Sequence, residues 1–522
     1  MPSKHLFLQS NPQRWLLVAN VGAAIIYFFV IAFLFPHGNQ ILFWLLIAGE
    51  IFHTWQALSY IYTVWNMKHK AHRDAEFVPP VDVFVTVCGE PVEVLEETVV
   101  AALNMDYPAH RIFILNDGYV AKKDNWQEVE VMARRVGVTC ITRKTPGGAK
   151  AGNINNALRQ SSSPFVVVFD TDHVPHKDFL SKTIGYFIDK KLAFVQTPQY
   201  YKNAYVNAVA LSSWEQQELF FGPICRGKNR LNSVTMCGTN MVIRREALLE
   251  VGGMAESIAE DFVTGVFLHQ RGWKSLYVPE VLAEGMAPED FLSYTKQQFR
   301  WARGALDVLF RYNLLFRPGL SFAQRVQYLS SVTYFLSGTV VLMNILLPLL
   351  FLYFGLVPVK IDTMLLAAVF VPYMLLTVGV LASTSNRRFS FRALSFSISS
   401  FWIHIRALWS AMTGQKVAFS VTSKEKLSGN FLGQVVPHIM YVVLVVCGII
   451  FAAIREGLSA SVVNNVAWAL FNVGMIMPYI VAAAPEGYMR KNLSRIYEMM
   501  FIPDKVVAAR LRVVTAVEGK KA

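Results

Sequence analysis

Two carboxylates one residue apart, Asp170 and Asp172, close the apolar run 165–169. If that run is a strand, both acids stand at its carboxyl end, where open α/β sheets bind their ligands. Hard oxygen donors there suit a divalent cation such as Mg2+, which needs only one or two protein carboxylates when phosphate oxygens supply the rest. The second Asp would equally well cap a helix, so the triplet alone leaves both readings open. A second acidic pair, Glu260-Asp261, precedes the apolar stretch 262–269. A carboxylate at a helix start is stabilised as the anion, and an ionised Asp261 can take the proton of an attacking hydroxyl. Acids also favour a first helical turn without any chemistry. A third group, Gln297-Gln298-Phe299-Arg300-Trp301 followed by Arg303, places two cations and an indole on an expected helix. Arginine pairs with diphosphate and tryptophan stacks on a sugar face, although both residues also anchor helices at membrane interfaces.

The elements that must position these groups are legible as short β-branched or aromatic runs at 81–87, 112–115, 165–169 and 193–196, separated by helix-like stretches at 92–104 and 151–159. Strands alternating with helices predict a doubly wound α/β sheet. The sequence contains no internal repeat and no low-complexity tract.

The 522 residues are 54% hydrophobic with a mean hydropathy of +0.36, a composition that favours a membrane protein. Runs long enough to cross a hydrocarbon core of roughly 30 Å fall at 15–35, 41–65, 328–356, 362–384, 433–454 and 463–484, so a soluble block lies between two membrane regions. The first run lacks a small-residue cleavage site and reads as an anchor. The net charge of +13 comes with basic clusters beside the apolar runs, such as Lys68-His69-Lys70 and Arg387-Arg388. That placement fits anionic lipid and a cytoplasmic middle domain on an inner or plasma membrane, and no nucleic-acid motif accompanies the charge. Five scattered cysteines give neither a disulfide framework nor zinc spacing. Residues 390–412 are apolar but interrupted by Arg392, His404 and Arg406, which predicts an amphipathic helix at the interface, followed by a polar loop over 413–432.

In the order DxD, ED, QxxRW, inside one α/β block flanked by apolar spans, the chain resembles the processive family 2 glycosyltransferases typified by the bacterial cellulose synthase catalytic subunit. The resemblance runs from Val81 to Gly429 and includes Thr86…Glu90-Pro91, Asn116-Asp117-Gly118, Ala149-Lys150-Ala151-Gly152-Asn153, Gln196-Thr197-Pro198, Cys237-Gly238 and Phe419-Ser420-Val421-Thr422-Ser423-Lys424. It implies a GT-A domain inserted in a bundle of six transmembrane helices. The division is 1–75 (N-terminal helices), 76–326 (catalytic domain), 327–386 (helices), 387–432 (interfacial helix and gating loop), 433–486 (helices) and 487–522 (basic cytoplasmic tail).

By resemblance, Thr86, Glu90, Asp117 and Lys150 surround the nucleotide, and Asp170 and Asp172 hold nucleotide and metal, Asp172 being the metal ligand for Mg2+ or Mn2+. His173, Cys237 and Gly238 border the acceptor, and Asp261 is the base. Gln297 and Arg300 bind diphosphate, Trp301 binds the acceptor sugar, and Phe419, Val421, Thr422 and Lys424 form a gating loop. The implied partners are a UDP-sugar, the growing polysaccharide, membrane lipid and periplasmic export proteins. The implied reaction is inverting polymerisation of a β-linked, cellulose-like glucan. Hyaluronan-, chitin- or mannan-like products, sugar transfer to a lipid, and a non-enzymatic export role are the alternatives.

Helices 328–356, 362–384 and 433–484 are expected to line the exit channel, with Asn344 and His438 as channel or packing residues. Two departures stand out. Asn116 occupies the first of two positions that are usually acidic, so an amide contact to the base is expected. No cyclic-di-GMP-binding β-barrel domain follows the catalytic region, so control by that messenger is not expected.

Overall fold

The computed structural model describes residues 11–385, 390–415, 427 and 429–485, so the expected gating-loop residues Phe419, Val421, Thr422 and Lys424 lie outside the described residues. The chain opens with α1 (Arg14–Phe29), extended by a π-helical turn, and α2 (Gln40–Val64), capped by Asn39, whose side chain accepts from Leu42 N at 3.1 Å. Next, β1 (Val81–Val87), α3 (Val92–Leu103), β2 (His110–Asn116), α4 (Trp126–Val136), β3 (Thr139–Thr142), α5 (Ala149–Leu158) and β4 (Phe165–Asp170) alternate. They are followed by β5 (Val174–Pro175), α6 (Phe179–Thr183), β6 (Leu192–Gln196), β7 (Tyr200–Tyr201), α7 (Ala208–Leu219) and α8 (Cys225–Arg230). The domain is completed by β8 (Met241–Arg244), α9 (Arg245–Glu250), α10 (Glu260–Gln270), β9 (Lys274–Tyr277), β10 (Ala283–Gly285) and α11 (Phe291–Arg311).

The longer strands form a seven-stranded sheet in the order β3-β2-β1-β4-β8-β6-β9. The first four are parallel, whereas β8 runs antiparallel to both neighbours. The near-continuous apolar sequences of β1 and β4 follow from burial on both faces. Val81, Val83, Val85 and Val87 pack toward α3 and α4, while Phe84, Val166 and Val168 pack toward α5 and α7. The polar exception in β1, Asp82, is fully buried and satisfied by Arg111 at 2.8 Å and by the amide of Ser163 at 2.8 Å. Strand order reverses between β1 and β4, where Thr86 stands opposite Asp170. This switch point is where such sheets open a crevice for ligand.

Beyond α11 come α12 (Phe322–Thr333), which runs through a short 3-10 turn into α13 (Ser337–Phe354), then α14 (Thr363–Thr384), α15 (Phe391–Ser399), α16 (Phe401–Met412), α17 (Val436–Glu456) and α18 (Ala460–Ala483). Among the described residues, six helical segments are long and apolar enough to cross a membrane: Arg14–Leu34, Gln40–Val64, Phe322–Phe354, Thr363–Thr384, Leu432–Glu456 and Ala460–Ala483.

The single interfacial helix expected over 390–412 is instead two helices that break at Ser400 and insert into protein. α15 packs on α7 and α18, and α16 on α11 and α13. Two of the three interrupting residues are turned into protein: Arg392 is buried facing Glu215 of α7, and His404 is buried beside Tyr334 and Phe335, whereas Arg406 stays exposed over the Phe299 ring. The α/β domain also meets α2 directly. A Cβ on Gly227 in α8 would lie 2.2 Å from the carbonyl oxygen of Thr63, so only glycine lets the two backbones touch.

Candidate functional site

Asp170 ends β4 at the switch point. Its carboxylate accepts from Thr86 Oγ1 at 3.2 Å and forms an ion pair with Lys150 from the first turn of α5, while its amide donates to Thr239 Oγ1 at 2.9 Å. Burial works against the Asp170 anion, but the Lys150 ammonium and His173 together outweigh it and hold the carboxyl below the usual range. Lys150 Nζ also donates to the Gly238 carbonyl at 2.8 Å. Burial disfavours the Lys150 charge too, yet the carboxylates of Asp170, Glu260 and Asp261 keep its pKa above the ordinary value. Asp172 is only 2% exposed and accepts from Met286 N at 3.1 Å. His173 Nδ1 lies 3.4 Å from Asp172, and its ring is packed so closely on Gly285 that a Cβ there would approach Nε2 to 2.5 Å.

Asp261 stands in the first turn of α10, where its Oδ1 accepts from Phe262 N at 2.7 Å. Burial raises its pKa, against the pull of that amide, Lys150 and Arg300. Burial and the neighbouring Asp261 charge push Glu260 up to about 7. Two acids whose charged forms compete, with one cation between them and the strand-end Asp170, make a site that can hold a proton near neutral pH. Gly238 has φ +75°, and a Cβ there would lie 3.0 Å from Asp261 Oδ2 and 3.6 Å from Lys150 Nζ. Gly238→Ala is therefore expected to lose about 1–2 kcal/mol of stability from the left-handed backbone. It should also displace Asp261 and, if that residue is the base that the resemblance implies, lower turnover roughly tenfold, since a small misplacement of a reacting group is costly. Thermal unfolding and initial rates on the same preparation check both effects.

At the far end of the cavity, Asp117 is clamped by Arg143 from the loop after β3, with Nε to Oδ1 at 2.8 Å and Nη2 to Oδ2 at 2.6 Å. Burial nevertheless leaves the Asp117 pKa raised. Glu90 accepts from Cys88 N at 2.5 Å. Asn116 does not face the cavity as expected. It is fully buried, its Nδ2 donates to Trp126 O at 2.8 Å and its Oδ1 accepts from Gly118 N at 2.9 Å, so its amide builds the turn.

α11 is capped by Asp290, which accepts from Ser293 N at 2.8 Å, and carries Gln297, Arg300 and Trp301 into the cavity, with the Arg300 charge felt by both Glu260 and Asp261. Arg303 points elsewhere: it is 1% exposed, paired with Asp307, and donates to Ser410 Oγ at 3.1 Å on α16. One cavity of about 730 Å3 gathers Thr86, Glu90, Asp117, Lys150, Asp170, Asp172, His173, Cys237, Gly238, Asp261, Gln297, Arg300 and Trp301. It continues past Cys237 to Gln56, Tyr60 and Thr63 of α2, Gln327 and Ser330 of α12, Tyr334, and Ser397 and His404 of α15 and α16.

Among the described residues, α14, α17 and α18 contribute nothing to its lining, contrary to the expected channel. Asn344 does not reach it either, and His438 bonds the Ser399 carbonyl at 2.7 Å instead. At the Asp117 end, Arg143 is a polar residue that sequence reasoning missed. It follows β3, and the rule that ligands bind beyond strand ends points to it once that strand is recognised.

The glycosyltransferase-like family 2 model matches residues 79–304, and the cellulose synthase model matches residues 249–430. The chain carries a family 2 glycosyltransferase domain followed by a cellulose synthase domain. A putative cellulose synthase 2 of Komagataeibacter xylinus is 30% identical over 465 residues, which is 84% of this chain and 30% of the relative. A UDP-forming cellulose synthase catalytic subunit of Pseudomonas fluorescens is 28% identical over 475 residues, 87% of this chain and 63% of the relative. The chain thus spans less than two thirds of the length of these relatives. A mannosyltransferase from Pyrobaculum calidifontis, in complex with GDP-Man and Mn2+, superposes with a TM-score of 0.50 at 17% identity, covering 72% of this chain and all of that one. The likeness is one of fold. The family 2 domain here is a GT-A domain, joined to a multi-pass membrane region.

Proposed function

We infer that the chain is a processive, inverting glycosyltransferase that builds a β-linked, cellulose-like glucan from UDP-glucose and passes it into its own membrane helices. The observation that carries this reading is the continuity of one cavity from Asp117 and Arg143, through Asp261 and Trp301, to side chains of α2 and α12. An enzyme that released a sugar to a small acceptor would have no use for an active site open to membrane helices.

The nucleotide lies at the Asp117–Arg143 end, against Thr86 and Glu90. The donor set of Asp170 and Asp172 is all oxygen and stands at a strand end, which fits a hard divalent ion such as Mg2+ or Mn2+ held jointly with diphosphate. Such an ion supplies charge neutralisation at the leaving group. Asp261 takes the proton of the acceptor hydroxyl as its oxygen bonds to the anomeric carbon, and the bond from that carbon to the diphosphate oxygen breaks on the opposite face. The product linkage is therefore β from an α-linked donor. Arg300 and Gln297 bind the departing UDP, and Trp301 stacks on the acceptor's terminal sugar. The Lys and Arg beside the apolar runs, such as Lys68, Lys70, Arg387 and Arg388, favour the cytoplasmic side for the catalytic domain by the positive-inside rule, so the polymer leaves toward periplasmic export partners.

Arg143→Met is expected to destabilise the protein by about 3–5 kcal/mol, the cost of leaving the buried Asp117 carboxylate alone. UDP affinity should fall with it, as measured by thermal unfolding and by calorimetric titration. The function itself is tested with the full chain in lipid nanodiscs, supplied in turn with UDP-glucose, UDP-N-acetylglucosamine and GDP-mannose. The expected result is UDP release from UDP-glucose together with a high-mass product cut by a β-1,4-glucanase. Transfer of single sugars to lipid, or no nucleoside diphosphate release from any donor, would reject it.

A further inference from the structure

Lys228 takes no part in the chemistry described above. It sits in α8, is 1% exposed, and lines the cavity where it passes from Cys237 toward the membrane helices. Its Nζ donates to Thr235 Oγ1 at 2.7 Å and to Ser331 Oγ of α12 at 2.9 Å. The ionisable groups that act on it are the thiols of Cys225 and Cys237 rather than any carboxylate, and burial lowers its pKa. A lysine head buried without an acid is expensive to desolvate, so a position that needed only packing would be better filled by an apolar side chain. Two hydroxyls account for two of the three N–H donors of the ammonium, which leaves one for an oxygen in the cavity.

The surroundings extend this arrangement. Ser331 Oγ donates to the Gln327 carbonyl at 2.8 Å, and Gln327 Nε2 donates to Thr63 Oγ1 at 2.8 Å. Thr235, Ser331, Gln327 and Thr63 thus form a connected, neutral polar patch in the cavity lining, with Lys228 as its strongest donor. The adjacent Gly227 fixes the patch's position, because α8 touches the Thr63 backbone there. A polar, mostly uncharged patch with one firmly held donor matches the hydroxyl-rich, uncharged edge of a glucan.

We propose that Lys228 is an acceptor-binding residue whose head, oriented by Thr235 and Ser331, hydrogen-bonds a sugar hydroxyl behind the reacting end of the chain. The proposal rests on the polymerase reading of the site. Its test is the affinity of the full chain in nanodiscs for cellopentaose, with UDP titrated in parallel. Lys228→Met is expected to weaken cellopentaose at least about tenfold, the loss of one hydrogen bond from a charged donor, while UDP stays within about twofold. Polymer made from UDP-glucose should be correspondingly shorter. Equal cellopentaose affinity in the two proteins overturns the proposal, as does a wild-type protein that binds no cellopentaose. If Lys228→Met loses UDP as well, it has lost its fold, and the titrations are made on Lys228→Gln, where weakened cellopentaose with intact UDP supports the proposal and unchanged cellopentaose overturns it. A wild-type protein that binds cellopentaose through Lys228 but polymerises nothing rejects the polymerase reading and leaves this subsite in place.

Discussion

Asp261→Asn is expected to lower sugar transfer by about three orders of magnitude, within the range that a positioned general base supplies. UDP affinity should stay within about twofold, since the UDP end of the cavity is built from other residues. The substitution is isosteric and keeps an oxygen for the Phe262 amide, so the loss reports the missing proton acceptor rather than a damaged helix start. A variant that transferred sugar at the wild-type rate would remove Asp261 from the mechanism. The wild-type pH profile carries the same information. Burial raises the pKa of Asp261, and the base works when ionised, so kcat/KM should rise with pH through that value. Stability should move the other way. Glu260 binds its proton more tightly folded, at about 7, than its ordinary value of 4.5, so its contribution is complete below 4.5 and is lost as pH rises through about 7. Asp261→Asn removes the charge that helps to raise Glu260, and this pH dependence of stability should shrink in the variant.

Lys150→Met should have the second largest effect, through electrostatics rather than proton transfer. The ammonium pairs with Asp170 and is felt by both Glu260 and Asp261, so its removal leaves three neighbouring acids with Arg300 as the remaining cation acting on the last two. Each acid then titrates higher, and the rising limb of kcat/KM shifts to higher pH. At pH 7 the activity is expected to fall about a hundredfold, with partial recovery at alkaline pH. The stability cost is smaller than for a fully buried pair, because the Asp170 side chain is 37% exposed and water screens it. A pH–rate profile with an unmoved limb would show that Lys150 does not tune the base.

How much of this is legible in the sequence varies with the kind of signal. β1 and β4 are plain because a strand buried on both faces is an unbroken apolar run, and the acids closing β4 therefore fall in the right place. β3, β8 and β9 escape detection because four residues such as Thr139–Thr142 carry no periodicity. Arg143 is lost with β3. Asn116 stands out as a departure from the family pattern, yet its use in a turn depends on Trp126, ten residues on and brought back by the fold. Arg303 groups with Arg300 in the sequence and stands only about 60° from it around the helix, but Asp307 and Ser410 draw it toward α16, and those partners are set by the fold. Arg392 and His404 suggest a lipid interface only because their protein surroundings, Glu215 and the Tyr334–Phe335 pair, are distant in the chain. The same long-range packing decides which helices border the cavity, and it favours α2 over the C-terminal pair.

The contact between Gly227 and the Thr63 carbonyl has a mechanical consequence. Two backbones in van der Waals contact resist sliding, so α8 and α2 are held together at this point as parts of one frame. Under the proposed polymerase reading, the step that advances the chain then falls to smaller parts, such as side chains on α10 and α11 and the polymer itself. A bulkier residue at 227 would force α8 away from α2.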